Sequence, residues 1–260
     1  MLRFALTIFL SAFLLFQVQP LIGKIILPWF GGTPAVWTTC MLFFQCLLLA
    51  GYAYAHAVIA MPARRQGPLH LTVLGAAVLA AAPTIFPPAA YKPDGAGSPL
   101  LQILLVLAVS VGLPYFALST TGSLVQAWFS RLYPGRSPYP LYALSNIGSL
   151  LGLLTFPFLV EPRLGSATQA SVWFWGFALF AVLCGSIALR TMRENAQPST
   201  AGGSDETDVA PPPSLGLRAI WVALGACASI MLLALTNQMA IDVASVPFLW
   251  VIPLALYLLS

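Results

Sequence analysis

The sequence predicts an all-α, polytopic transmembrane helix bundle: six helices, a cytoplasmic linker, then the start of a second half. Three observations predict it. Hydrophobic residues make up 59% of the 260, and charged residues only 7%. A soluble domain usually carries about 25% charge, so lipid is the natural solvent. Apolar runs of spanning length alternate with short polar turns. The basic residues also sort by turn. Arg3, Arg64, Arg65, Arg131, Arg136, Arg190, Arg193 and Arg218 fall on one side; Lys92 and Arg163 fall on the other, with Lys24 near that second side. Short loops rich in Arg and Lys stay cytoplasmic. The N-terminus and the linker are therefore expected inside, which requires six spans between them. The net charge of +4 comes from single or paired residues set between apolar runs. It reads as an orientation signal and gives no reason to expect nucleic acid.

The elements follow in order. Span 1 covers residues 4–27, almost unbroken apolar sequence to Phe16, then interrupted by Gln17, Gln19 and Lys24 with Pro20 and Gly23 among them. A plain anchor has no use for those polar groups; a helix that packs in a bundle or faces a cavity does. Arg3 before an apolar core also fits a secretory signal, but no small-x-small cleavage site follows promptly. Span 2 covers 36–60, with Tyr52, Tyr54 and His56 near the headgroup level. Span 3 covers 71–86 and stops at Pro87-Pro88. Span 4 covers 100–118, with Pro114 expected to bend it. The semi-polar STTGSLVQAWFSRLYPGR after it reads as a helix end plus an interfacial segment. Spans 5 and 6 cover 141–160 and 170–188.

Residues 190–217 change character, holding four of the seven acidic residues among Ser, Thr, Gly and Pro. Such a stretch cannot bury enough apolar area to fold alone. The domain reading is a six-helix bundle at 1–190, a flexible cytoplasmic linker at 191–217, and the start of a second transmembrane half at 218–260. Span 7 covers 220–240. An eighth apolar run begins near Pro247 and is still going at Ser260. At about fourteen residues it is too short to span, so a truncated second half is expected. Two similar halves joined by a linker is a layout of secondary transporters. A weak internal repeat agrees: SAFLLFQVQPLIGK from Ser11 lies on SIMLLALTNQMAID from Ser229, bringing Gln19 onto Asn237 and Lys24 onto Asp242.

Three segments carry a resemblance. FLSAFLLFQVQPLIGKIILPWFGGTPAVWTTCMLFFQ, SPYPLYALSNIGSLLGLLTFPFLVEP and IDVASVPFLWVIPLALYLLS resemble the fused major-facilitator/spermidine-synthase-like membrane proteins of bacteria. The resemblance implies a major-facilitator-like, transporter-like membrane region in a bacterial inner membrane. It also implies a soluble domain that often follows, resembling spermidine synthase, with an aminopropyltransferase or methyltransferase-like nucleotide fold. These residues hold no Gly-rich loop after a β-strand and no acidic set placed for an amine. Any such activity would belong to a domain beyond Ser260.

Among single residues, Lys24 and Asp242 come first, because an ionised group at membrane depth is usually paired or functional. At 1.5 Å per residue Lys24 lies about 31 Å above Arg3, and Asp242 about 36 Å above Arg218. An ion pair gating the outer mouth of a cavity is the sharp expectation; two independent snorkelling charges are the bland one. Gln17, Gln19, Asn146 and Asn237 are candidates for a polar cavity lining or for interhelical hydrogen bonds. Gly148 and Gly152 form a small-xxx-small packing pair, while Glu161 and Arg163 read as interface markers. His56 reads as an interfacial anchor and His70 carries no special signal. Cys40, Cys46, Cys184 and Cys227 lie in apolar runs without a CxxC and read as small hydrophobes. No catalytic set, metal site or cofactor is expected. The partners expected are the lipid bilayer, a cytoplasmic soluble domain or subunit, and a small solute of unknown identity. A transporter-like module is one functional reading; a non-transporting anchor or regulatory module for a soluble domain is the alternative.

Overall fold

A computed structural model describes residues 1–82, 84–93, 97–195, 213–242 and 251–259. The described residues are helical with short turns and contain no strand. The long helices are α1 (Leu2–Trp29), α2 (Pro34–Ala60), α3 (Ala63–Ala81), α4 (Pro99–Leu132), α5 (Tyr139–Arg163), α6 (Ser166–Asn195) and α7 (Leu215–Asp242). A shorter α8 (Val251–Leu259) follows. Six of them, α1, α2, α4, α5, α6 and α7, are long and apolar enough to cross a membrane. The chain is that of a multi-pass membrane protein.

Helix α1 is the axis of the bundle. Its most apolar window is 67% buried, against 22% for α2 and 6% for α7. It packs on α5, α6 and α4, while α2 packs on α4, and α3 on α6 and α4. Lipid tails are as apolar as leucine, so these contacts come from close packing and hydrogen bonds. Small residues set the closest approaches. A Cβ on Gly148 would lie 2.7 Å from the Phe9 carbonyl oxygen, and one on Gly152 2.6 Å from that of Phe13. Likewise Gly51 lies against Ser119, joining α2 to α4, and Gly67 against Met192, joining α3 to α6.

The turn between α1 and α2 needs its two glycines. Gly31 and Gly32 have φ of 89° and 63°, a region costly for residues with a Cβ. Gly32 N–H donates to the Leu27 carbonyl at 2.8 Å, closing the end of α1. Pro34 then opens α2, where a missing N–H costs nothing.

Three helix boundaries differ from the sequence reading. Helix α3 spans Ala63–Ala81 rather than 71–86. Its first turn takes up Arg64 and Arg65, because Gln66 Nε2 donates to the carbonyls of Met61 (2.8 Å) and Ile59 (3.2 Å) and fixes that turn. It stops early because Ala82 precedes a proline and is extended (φ −90°, ψ 144°). With two arginines and His70 in its first half, α3 is not among the six apolar helices. At about 28 Å it is shorter than its neighbours α4 and α6. Helix α4 does not end near Leu118 but continues to Leu132, 34 residues in all. The semi-polar stretch is helix because its hydroxyls bond backward: Thr120 Oγ1 to the Ala117 carbonyl at 2.8 Å, Ser119 Oγ to that of Phe116 at 2.8 Å. Helix α6 continues to Asn195. Most of the expected linker, and Asp94, lie outside the described residues.

Proline acts on α4 and α5 as a widening of the helix. A π-helical turn, Ala108–Gly112, precedes Pro114. Pro114 brings no N–H to the carbonyl of Ser110, four residues back, and its ring crowds that carbonyl. A second π-turn, Phe156–Val160, lies between Thr155 and Pro162. There Arg163 Nη1 donates to the carbonyl of Phe158 at 3.1 Å, the group that Pro162 leaves without its helical donor.

Candidate functional site: polar groups held between helices

The two buried glutamines of α1 reach different neighbours. Gln17 is buried, and its Nε2 donates to the Gly152 carbonyl and to Thr155 Oγ1, both at 2.9 Å on α5. Gln19, also buried, donates to the Tyr115 hydroxyl on α4 at 3.0 Å. Residues two apart point about 200° apart on a helix, so one amide serves each side. Trp173 on α6 donates its indole N–H to the Leu14 carbonyl at 2.9 Å. Three helices are thus tied to α1 by specific hydrogen bonds, of the kind that sets register in a membrane bundle.

Near the far end of α1 stands an ion pair closed into a triad by an amide. Lys24 Nζ lies 2.6 Å from Glu161 Oε2 on α5 and donates to Gln169 Oε1 on α6 at 3.0 Å. Gln169 Nε2 closes the ring by donating to the same Glu161 oxygen at 2.9 Å, and to the Leu164 carbonyl at 2.6 Å. The Lys24 and Glu161 side chains are 20% and 33% exposed, so the pair is only partly wet. Gln169 is buried.

The expected pairing of Lys24 with Asp242 is therefore replaced. Asp242 is exposed and accepts from Gln238 one turn back, at 2.7 Å. Height along a helix follows from residue count, but the direction a side chain faces does not. Lys24 faces α5 and α6, while α7 lies against α2. The polar link to α7 runs through Thr38, whose hydroxyl donates to Asn237 Oδ1 at 3.2 Å. Asn146 is exposed on α5, on the same helix as the buried Gly148 and Gly152. Lys24 therefore clamps α1 to α5 and α6.

Arginines gather at the opposite end, Arg131 and Arg190 among them. Gln66, fully buried, accepts from Trp128 Nε1 at 3.0 Å and from Arg131 Nη1 at 2.9 Å. Arg190 donates to the Tyr133 hydroxyl at 2.9 Å and pairs with Glu194 at 2.8 Å. At the lysine end Lys92 stands 5.6 Å above the Trp29 ring, a cation–π contact. The charge sorting read from the turns is thus a physical polarity of the bundle.

His70 was not marked by sequence. It is fully buried, with Cys184 Sγ 3.5 Å from Nε2, Tyr54 Oη 3.5 Å from Nδ1, and the Trp128 ring edge-on at 5.7 Å. A thiol beside an imidazole is the pairing used in nucleophilic catalysis. Here both groups are fully buried. The available signal was spacing alone: Gln66, His70, Leu74, Ala77 and Ala81 recur as the buried face of α3. His56 is exposed. Among the described residues no group of three or more His, Cys, Asp or Glu is placed to hold a metal.

Comparison with protein-family models, with curated proteins and with solved structures gave no match.

Proposed function

We propose that this chain is the membrane region of a transporter-like protein: a six-helix bundle and the opening helices of a second, major-facilitator-like half. On this reading it lies in a bacterial inner membrane with its arginine-bearing end in the cytoplasm, and it moves a small solute. The observation that carries the reading is the seating of the last two helices. Helix α7 lies on α2 and α8 on α5, two helices whose apolar windows are only 22% and 28% buried by the rest of the chain. Secondary transporters built from repeats hold their solute between the halves. The helices of the first half that meet the second therefore keep an open side. Thr38 and Asn237 hydrogen-bond where α2 meets α7, and Asn146 is exposed on α5. The resemblance of the three sequence segments supports the same reading.

A second reading has its own support. Gln17, Gln19, Gln66 and Gln169 are buried and bonded within the bundle. Amides spent on structure leave a dry core, which suits an anchor or regulatory module for a spermidine-synthase-like soluble domain. Uptake of a solute panel by vesicles holding the full-length protein separates the two. Accumulation that is abolished by denaturing the protein supports transport. Impermeability to the whole panel, together with altered activity of a soluble domain on reconstitution, supports the anchor. Orientation is tested with cysteine placed at Arg64 or Arg131 in a cysteine-free background. Labelling of either from outside intact cells overturns the orientation.

A further inference from the structure

We propose that the arginine-bearing end holds a specific site for one anionic phospholipid, in the cleft between the start of α1 and the end of α6. A cavity of about 430 Å³ opens there, walled by Leu2, Phe4 and Ile187 and bordered by Arg3, Ser186 and Arg190. Arg136 joins it, its Nη1 lying 2.8 Å from Met1 Sδ on the cavity wall. Among the described residues, Glu194 is the one carboxylate paired with any of these guanidiniums. The cluster is therefore strongly positive around an apolar hollow. A solvated cationic face needs no such hollow; a phosphate attached to an acyl chain fits both parts.

Helix α6 supplies the rest of the site. Arg193, Arg190, Ser186, Val182, Leu179 and Trp175 recur at steps of three and four, so they lie along one face. Arg193 and Arg190 are exposed at its head. Below Ser186 the face is exposed and apolar: Val182 68%, Leu179 54% and Trp175 68%. From Ser186 to Trp175 the lane runs about 16 Å, close to the depth of one leaflet's hydrocarbon, half of about 30 Å. Basic pockets between helices on the cytoplasmic side are suited to anionic headgroups. Here the headgroup lies among Arg3, Arg136, Arg190 and Arg193, and an acyl chain follows the lane.

The test uses the full chain, purified in detergent, and counts bound phosphatidylglycerol and phosphatidylcholine by native mass spectrometry. Phosphatidylglycerol is expected to be retained preferentially. The double variant Arg3→Gln/Arg193→Gln is expected to lower its affinity about fivefold for each guanidinium removed. Arg64→Gln/Arg65→Gln, which removes equal charge from the same end but outside the cavity, is expected to leave it within twofold. Equal loss in both double variants would overturn the site in favour of general surface potential. Equal retention of the two lipids, or displacement of phosphatidylglycerol by millimolar inorganic phosphate, would also overturn it. A measurement on the unaltered chain stands apart from the folding of any arginine variant. Phosphatidylglycerol with a brominated acyl end is expected to quench tryptophan fluorescence more than the brominated choline lipid does. Trp175→Phe is expected to remove that excess; an excess that persists counts against the lane.

Discussion

Replacing Gly152 by alanine tests the packing of the bundle where a glycine comes nearest to a neighbouring helix's backbone. The new Cβ would lie 2.6 Å from the Phe13 carbonyl oxygen, 3.2 Å from Phe13 Cα and 3.2 Å from Phe16 Cβ. A comfortable carbon–oxygen contact is about 3.3 Å, so α1 and α5 must part by about 0.7 Å. The obstacle is backbone, which no rotamer change can clear. A gap of that size forfeits a quarter to a half of the dispersion energy of each contact it opens. It also stretches the Gln17 bond to the Gly152 carbonyl, now 2.9 Å, which is worth about 1 kcal/mol. Overpacking of this kind costs about 1–3 kcal/mol. Alanine's better helix propensity returns about 1 kcal/mol, leaving a net loss of up to about 2 kcal/mol. Gly75→Ala is the matched control, because a Cβ there meets nothing within 4 Å; it should stabilise by up to about 1 kcal/mol. Unfolding in mixed micelles of rising SDS fraction, followed by circular dichroism, measures both. If Gly152→Ala is as stable as Gly75→Ala, the close crossing of α1 and α5 is refuted. Gly148→Ala should behave like Gly152→Ala, and the double variant should cost less than the sum, since one separation relieves both.

Other outcomes follow from the polar contacts. Lys24→Gln and Glu161→Gln should each lower stability by about 1–2 kcal/mol, a buried-pair loss discounted for partial exposure. The swap Lys24→Glu/Glu161→Lys should recover most of it in the same SDS titration, whereas Lys24→Asp/Asp242→Lys should recover none. Gln66→Leu strands the Trp128 indole N–H and one N–H of Arg131, and should cost about 2–3 kcal/mol, read as an earlier unfolding midpoint. Gly31→Ala forces a side chain into φ 89° and should cost about 1–2 kcal/mol, with the spectrum of the folded state unchanged.

Much of this fold was legible in the sequence, and the limits have physical causes. Apolar runs mark where lipid must be met, so the cores of α1, α2, α5 and α6 were placed well. Helix ends were not, because a helix runs past the hydrocarbon wherever its polar groups bond locally. Ser119 and Thr120 return their hydroxyls to the preceding turn, and Gln66 ties α3 to the residues before it. The direction of side chains was less legible still. Gln17 and Gln19 had to face apart by helical geometry, and they do, toward α5 and α4. Nothing in the spacing of Lys24 and Asp242 could reveal that Glu161 and Gln169 stand closer. That depends on which helices border α1, a property of three-dimensional order. Glu161 had been visible only as a charge beside Pro162.

The central place of α1 bears on how the protein is made. Its partners for Gln17 and Lys24 lie 135 to 145 residues later in the chain. At about 5–20 residues per second of synthesis, the first helix waits about 7–30 s for them. During that interval an amide and an ammonium must be hydrated or sheltered by the insertion machinery. These polar groups of the first helix therefore meet their partners only when the fifth and sixth helices arrive.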